Sequence, residues 1–299
     1  MSKMFDMIAN SKYATGIDIS SHEGDFIITD GAKKALDYVI LRAGYVGSAD
    51  HQPKTDVFFH GYYKELEKHP EIYRGVYWYL SSHTTWEKQY DYYTALIDEK
   101  DFDFIALDFE TINNVESEAF VLNFQSFMNA LEKKYPDKRI FIYTRKDVYD
   151  RWITPYTTNM TRFPLWHAKY PYFSWEDYAE PYFLNWWSGV FTNFVYTNLG
   201  LPHERFEDEW DLWQTGDVTY IGKEFGLYSP NIDINISKLY RQDFLDWIGL
   251  PERLGGIVIP PVPPTNGEAL LRVTVQDTVT EYVLKEGESI NIKVEHKGI

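Results

Sequence analysis

Cysteine is absent from the 299 residues, which excludes disulfides and thiolate metal sites and fits a reducing compartment. Long apolar runs are absent too. None approaches the roughly 18 residues of a membrane-spanning helix, and the opening MSKMFDMIANSKYATG lacks the apolar core of a secretory signal. The expectation is a protein made in the cytoplasm without a secretory signal and not inserted in a membrane. Basic residues are scarce: 29 Lys and Arg face 45 Asp and Glu, for a formal net charge of −16. That argues against a nucleic-acid partner, because phosphate binding needs a basic stripe. The short basic pieces KK (33–34) and EKKYPDKR (132–139) read as solvated helix faces. No Gly-rich phosphate loop, GxSxG elbow, HxH or HExxH spacing occurs, so neither cofactor nor metal is expected, and His22 and His167 read as ordinary polar histidines.

What is abundant is aromatic: 24 Tyr and 10 Trp, with Phe, bring the aromatic share to 18%. Such rings build cores, but in clefts they also stack on sugars. Eight apolar, β-rich runs are bounded by polar or Gly/Pro residues: TGIDIS (15–20), DYVILRAGY (37–45), RGVYWYLS (74–81), DFIALDFE (103–110), KRIFIYT (138–144), FPLWHAKY (163–170), EWDLWQT (209–215) and SPNIDINI (229–236). Helical spacing marks 54–68, 84–99 (with Thr84 or Thr85 ahead of Glu87 as a capping box) and 116–134, where Val121, Phe124, Met128 and Leu131 form a stripe. Strands alternating with helices imply a parallel sheet covered on both faces. Eight of them in one α/β domain suit an irregular (β/α) barrel with few helices in its second half, where the aromatic segment 171–208 shows little helical period. The expected organisation is a barrel over 1–250, a Pro-rich linker over 251–267 (IVIPPVPPTNG) and a short β-rich tail over 268–299, with strands around KEGES. Tail-mediated self-association is one expected use of it.

The run DFIALDFE ends in two carboxylates one residue apart. Residues i and i+2 of a strand share a face, so Phe104, Ala106, Asp108 and Glu110 point one way, and Ile105, Leu107 and Phe109 the other. Burying uncompensated acids costs several kcal/mol, so the expected place for Asp108 and Glu110 is the barrel mouth, where such barrels keep their chemistry. Asp18, Asp211 and Asp233 occupy comparable places on the first, seventh and eighth runs. Carboxylates converging on one mouth repel, leaving one protonated beside an ionised partner, which is what glycoside hydrolysis requires.

The ordered set GIDIS, VILRAGY, RGVYWYL, IALDFE, FIYT, PLWHAKY, WDLWQT and IDIN resembles the glycoside hydrolase family 25 lysozymes, over about residues 14–247. The resemblance implies an irregular barrel acting on bacterial peptidoglycan: a retaining muramidase that cuts the β-1,4 bond between N-acetylmuramic acid and N-acetylglucosamine. Carried over position by position, it makes Glu110 the general acid/base and Asp108 its neighbour, which orients the 2-acetamido group, with Asp18 and Asp233 as flanking aspartates. It places Tyr45, Tyr79, Tyr143, Trp166, Trp213 and Gln214 along the saccharide groove. Glu23, in SHEG, stands where the family usually has Gln, and Trp78-Tyr79 where His-Phe is common. A phage or lysis-associated enzyme acting on the wall is the expected setting, secreted if a leader has been removed. A non-catalytic wall-glycan binder, or a hydrolase of a related N-acetylated glycan such as chitin, are the alternatives.

Overall fold

The structure, a computed structural model, describes residues 3–110, 117–157, 159–169, 210–216, 221–249, 268–275 and 278–285. Two compact units divide the chain, Met1–Ile248 and Gly249–Ile299. In the first, eight strands close a barrel in the order β1 (Tyr13–Ile19), β2 (Tyr38–Val46), β4 (Tyr73–Tyr79), β5 (Phe104–Asp108), β6 (Arg139–Thr144), β7 (Leu165–Ala168), β8 (Leu212–Gly216) and β9 (Asp233–Tyr240), which returns to β1. Each of the eight expected runs overlaps one of these strands.

Two features depart from a uniform parallel barrel. The segment 54–68, expected as one helix, is divided. Pro53–Thr55 (β3) pairs antiparallel with β2, and the helix, which follows α1 (Lys3–Ala9) and α2 (Asp30–Ala35), starts only at Phe59 (α3, Phe59–Glu67). Asp56 makes the break, its Oδ1 accepting from Phe58 N at 3.0 Å in an Asx-type turn. Strand β3 takes the edge of β2 at Gly44–Val46 that β1 leaves after Leu41, so the β1–β2 seam forks toward the mouth. The second departure is β9, which runs antiparallel to both β8 and β1. A parallel return needs a crossover of a dozen or more residues, usually a helix. Among the described residues between β8 and β9, the only helix is the single turn Gly222–Phe225.

The alternation expected for β5 is present. Phe104 and Ala106 lie in the inner cluster with Tyr38, Ile40, Phe141 and Leu212, while Ile105, Leu107 and Phe109 join the outer cluster. There the helix Ser117–Lys134 (α5) covers them, Phe109 meeting Phe120 and Phe124 at 5.2 and 4.7 Å between ring centroids. Helix α4 (Trp86–Ile97) starts at Thr85, whose hydroxyl accepts from Lys88 N; Glu87 sits too early in the first turn to complete a capping box. The helix Arg241–Ile248 (α6) closes the barrel floor: Phe244 and Ile248 belong to the inner cluster, and the Phe244 ring packs 5.4 Å from that of Tyr38.

In the second unit, Glu268–Val275 and Thr278–Lys285 pair antiparallel, Val275 opposite Thr278. The expected turn at KEGES and the segment 171–208 lie outside the described residues, apart from Lys285 at the strand end.

Candidate active site

Above the inner cluster opens a cavity of about 640 Å³, and all four expected acids, Asp18, Asp108, Glu110 and Asp233, line it. Three arrive at the C-terminal ends of β1 and β5. Asp233 arrives by the opposite route: it is the first residue of β9, and because β9 is reversed its N-terminal end lies at the mouth, with Asp233 directly opposite Asp18 in the pairing register.

The four acids are held differently. Asp18 is buried and fully served by donors. Gln214 Nε2 reaches its two oxygens at 3.1 and 3.0 Å, and Asn235 Nδ2 donates to Oδ2 at 2.7 Å. Each carboxamide is turned by an aromatic donor: Tyr143 Oη donates to Gln214 Oε1 at 2.7 Å, and Trp166 Nε1 to Asn235 Oδ1 at 2.7 Å. Burial still pushes Asp18 up to about 6; the carboxamide donors pull it back, and the charge of Glu23 adds to the rise.

Asp108 is the contrast. It is 4% exposed, its Oδ1 is sealed from solvent without a hydrogen-bond partner, and its side chain accepts no bond from the described residues. Burial, then the charges of Glu110 and Asp18, hold it well above the usual carboxylate range, with Arg42 opposing. Glu110, two residues on, is half-buried and also raised, chiefly by desolvation, against a hydrogen bond with Tyr143 and the charge of Arg145. Tyr143 has one hydroxyl proton. While it points to Gln214, the phenolic oxygen can accept from a protonated Glu110, so the same ring serves two acids.

Of the expected groove residues, Tyr45, Tyr79, Tyr143, Trp166 and Gln214 line the cavity. Trp213 does not: it faces the outer cluster, and its indole donates to Lys169 O at 2.7 Å. Neighbours in a strand face opposite ways, so Trp213 and Gln214 could not both point inward. Asp211 is also displaced. It precedes β8, shares the outward face of Trp213, and accepts from Leu165 N at 2.9 Å near the start of β7, at the end of the barrel away from the mouth. His22 lines the cavity, whereas His167 is buried and lowered to about 4, chiefly by desolvation. Among the described residues no group of three or more His, Asp or Glu is placed to hold a metal ion.

Three contributors were not anticipated: Arg42, Asn235 and Tyr77. Arg42 and Tyr77 line the cavity, and Asn235 supports it. Their signal was present in the alternation, Arg42 being a lone cation on the inner face of an apolar strand and Asn235 lying two residues beyond Asp233.

Solved structures share this architecture. A family 25 glycosyl hydrolase from Bacillus anthracis superposes with a TM-score of 0.54 at 19% identity, covering 78% of this chain and 92% of that one. A bacterial lysozyme from Streptomyces coelicolor gives 0.55 at 14%, covering 78% and 95%. GHIP, a glycosyl hydrolase 25 of Streptococcus pneumoniae described as a virulence factor participating in host cell invasion, gives 0.55 at 16%, covering 83% and 97%. At these identities the likeness establishes the fold. Comparison with curated proteins found no match. The family model of the glycosyl hydrolases family 25 matches residues 17–220, a span holding Asp18, Asp108 and Glu110. With four acids gathered over a closed barrel and two thirds of its length under that model, the chain belongs to glycosyl hydrolase family 25.

Proposed function

We propose that this enzyme is a muramidase that hydrolyses the β-1,4 bond between N-acetylmuramic acid and N-acetylglucosamine in peptidoglycan, with retention and with participation of the substrate's 2-acetamido group. The observation that carries the mechanism is Asp108: a buried carboxyl group whose sealed Oδ1 has no hydrogen-bond partner, next to a half-buried Glu110 whose pKa is raised. Leaving such a group unsatisfied costs roughly 1–3 kcal/mol or more. A protein that merely binds glycan gains nothing from that cost, whereas an acceptor for the acetamido N–H offsets it when substrate arrives.

In this reading Glu110, protonated, gives its proton to the glycosidic oxygen as the C1–O bond breaks. The acetamido carbonyl oxygen attacks C1 from the other face, forming a cyclic oxazolinium ion, while Asp108 accepts the acetamido N–H and balances the developing positive charge. Water then attacks C1, giving its proton to the Glu110 carboxylate and reopening the ring. Two displacements at C1 give retention. Asp18 and Asp233 face this centre from the opposite wall, with Asp18 fixed by Gln214 and Asn235. The tyrosines and Trp166 offer ring faces to the sugars.

Acetamido participation makes a substrate-side prediction. Chemically de-N-acetylated peptidoglycan will be cut at least 100-fold more slowly than the same wall re-acetylated, measured as muramic-acid reducing ends. Equal rates on both would remove participation from the mechanism.

A further inference from the structure

The cavity is lined by five carboxylates, Asp18, Glu23, Asp108, Glu110 and Asp233, and by one guanidinium, Arg42. Arg42 is on the inner face of β2 at the point where the β1–β2 seam forks. Its back edge is fully engaged. Nε donates to Asp56 Oδ2 at 2.9 Å, Nη2 reaches the same oxygen at 2.7 Å, and Nη2 also donates to Ser21 Oγ at 2.8 Å. Asp56 is itself fixed by Ser21 N and Phe58 N, so the guanidinium plane is set before any ligand arrives. Of the five N–H groups an arginine carries, the two on Nη1 have no partner among the described residues, and Nη1 is not sealed from solvent. Arg42 shares its cavity with Asp108, which would hold the acetamido group of a bound sugar.

A rigid, half-satisfied guanidinium among acids is a receptor for an anionic or carbonyl oxygen on the substrate. Muramic acid differs from glucosamine only by its 3-O-lactyl arm, which ends in a carboxyl group. We propose, on the basis of the muramidase reading, that Arg42 reads this lactyl arm and that the form it prefers is the free carboxylate. In intact wall the carboxyl is tied to the stem peptide as an amide. The preferred substrate therefore follows an amide hydrolysis, in which water adds across the lactyl C–N bond, leaving carboxylate on the sugar and amine on the peptide. Charge-assisted hydrogen bonds are about twice as strong as neutral ones, so the enzyme should favour strands already stripped of stems.

The test uses the full chain and two glycan strands that differ in one group: stem-free strands with the lactyl carboxylate exposed, and the same strands capped as methylamides. The expected kcat/KM ratio, free over capped, is about ten. Five carboxylates acting without Arg42 would repel the anionic strand, so a wild-type ratio at or below one overturns the proposal. In Arg42→Gln combined with Asp56→Asn, which removes both charges of the buried pair together, the ratio falls to one or below. An unchanged ratio in a folded double variant overturns the proposal as well. Should that pair fail to fold, Arg42→Lys is read in its place: an ammonium drawn to Asp56 leaves no fork for the ligand, and the ratio drops at least threefold. If the wild type turns over neither strand, the muramidase reading fails separately, and calorimetric binding of the two strands to the wild type decides the Arg42 claim by the same ratio.

Discussion

At the scale of single residues, Asp18 and Asp108 show two ways of keeping a carboxyl in a barrel. Asp18 has three donor contacts from two oriented carboxamides; Asp108 has none from the described residues. Both are held above their ordinary range by burial. For an acid whose folded pKa exceeds its unfolded value, the folded state holds the proton more tightly. Stability is then fully present at low pH and is lost as pH climbs from the unfolded pKa to the folded one. Asp108→Asn removes that loss without breaking any hydrogen bond seen in the protein. The variant is expected to be more stable than wild type at pH 7 by roughly 1–3 kcal/mol, with the gain vanishing near pH 4, and to lose nearly all turnover. Denaturant melts at the two pH values check the first part. A variant less stable than wild type at pH 7 would mean that Asp108 is paired in a way the geometry does not show.

At the scale of elements, the barrel depends on close approaches as much as on apolar runs. Gly16, at the middle of β1, has no room for a side chain: a Cβ there would stand 2.3 Å from the Tyr38 ring and 2.5 Å from the Tyr38 carbonyl oxygen. The carbonyl is part of the β2 backbone and cannot rotate aside, and Tyr38 is wedged against Phe104 and Phe244. Gly16→Ala is expected to cost about 2 kcal/mol or more by overpacking, read as a fall in the denaturation midpoint; a neutral outcome would show that the seam between β1 and β2 is looser than described.

The same scale explains what the sequence disclosed. All eight barrel strands were legible because each is an apolar run of four to nine residues with β-branched or aromatic character, and the two faces of β5 followed from alternation alone. Strand direction was not legible: nothing in SPNIDINI says which way β9 runs, yet its reversal is what brings Asp233 to the mouth. Strand β3 was hidden because three residues opening with proline carry too little pattern beside a strong helix. Trp213 and Asp211 were misplaced because each was read by neighbourhood rather than by register. Both sit on the outward face of the run that contributes Gln214. All four acids could be found as carboxylates stranded in apolar β-runs that carry the family resemblance, while the donors that hold Asp18, Asn235 above all, become visible only when β1, β8 and β9 are side by side.

At the scale of the whole molecule, the closed barrel, its floor and every described residue lining the cavity belong to the first unit, which ends at Ile248. Helix α6 plugs the inner cluster from below with Phe244 and Ile248, and Arg241 pairs with Asp37 at 3.0 Å. A chain ending at Gly249 is therefore expected to retain kcat on soluble glycan strands within about threefold, while one ending before Arg241 exposes the inner cluster and fails to fold. Circular dichroism melts and turnover of the two truncations check this; a folded but inactive longer piece would place part of the machinery in the second unit.

The central claim is that Glu110 supplies the proton to a sugar linkage held over these acids. It is tested most directly by digesting purified peptidoglycan with wild-type protein and with Glu110→Gln and counting new muramic-acid reducing ends. Abundant ends from the wild type, and a fall of at least 1,000-fold in a variant that still folds, is the predicted result. Equal release from both proteins would contradict it.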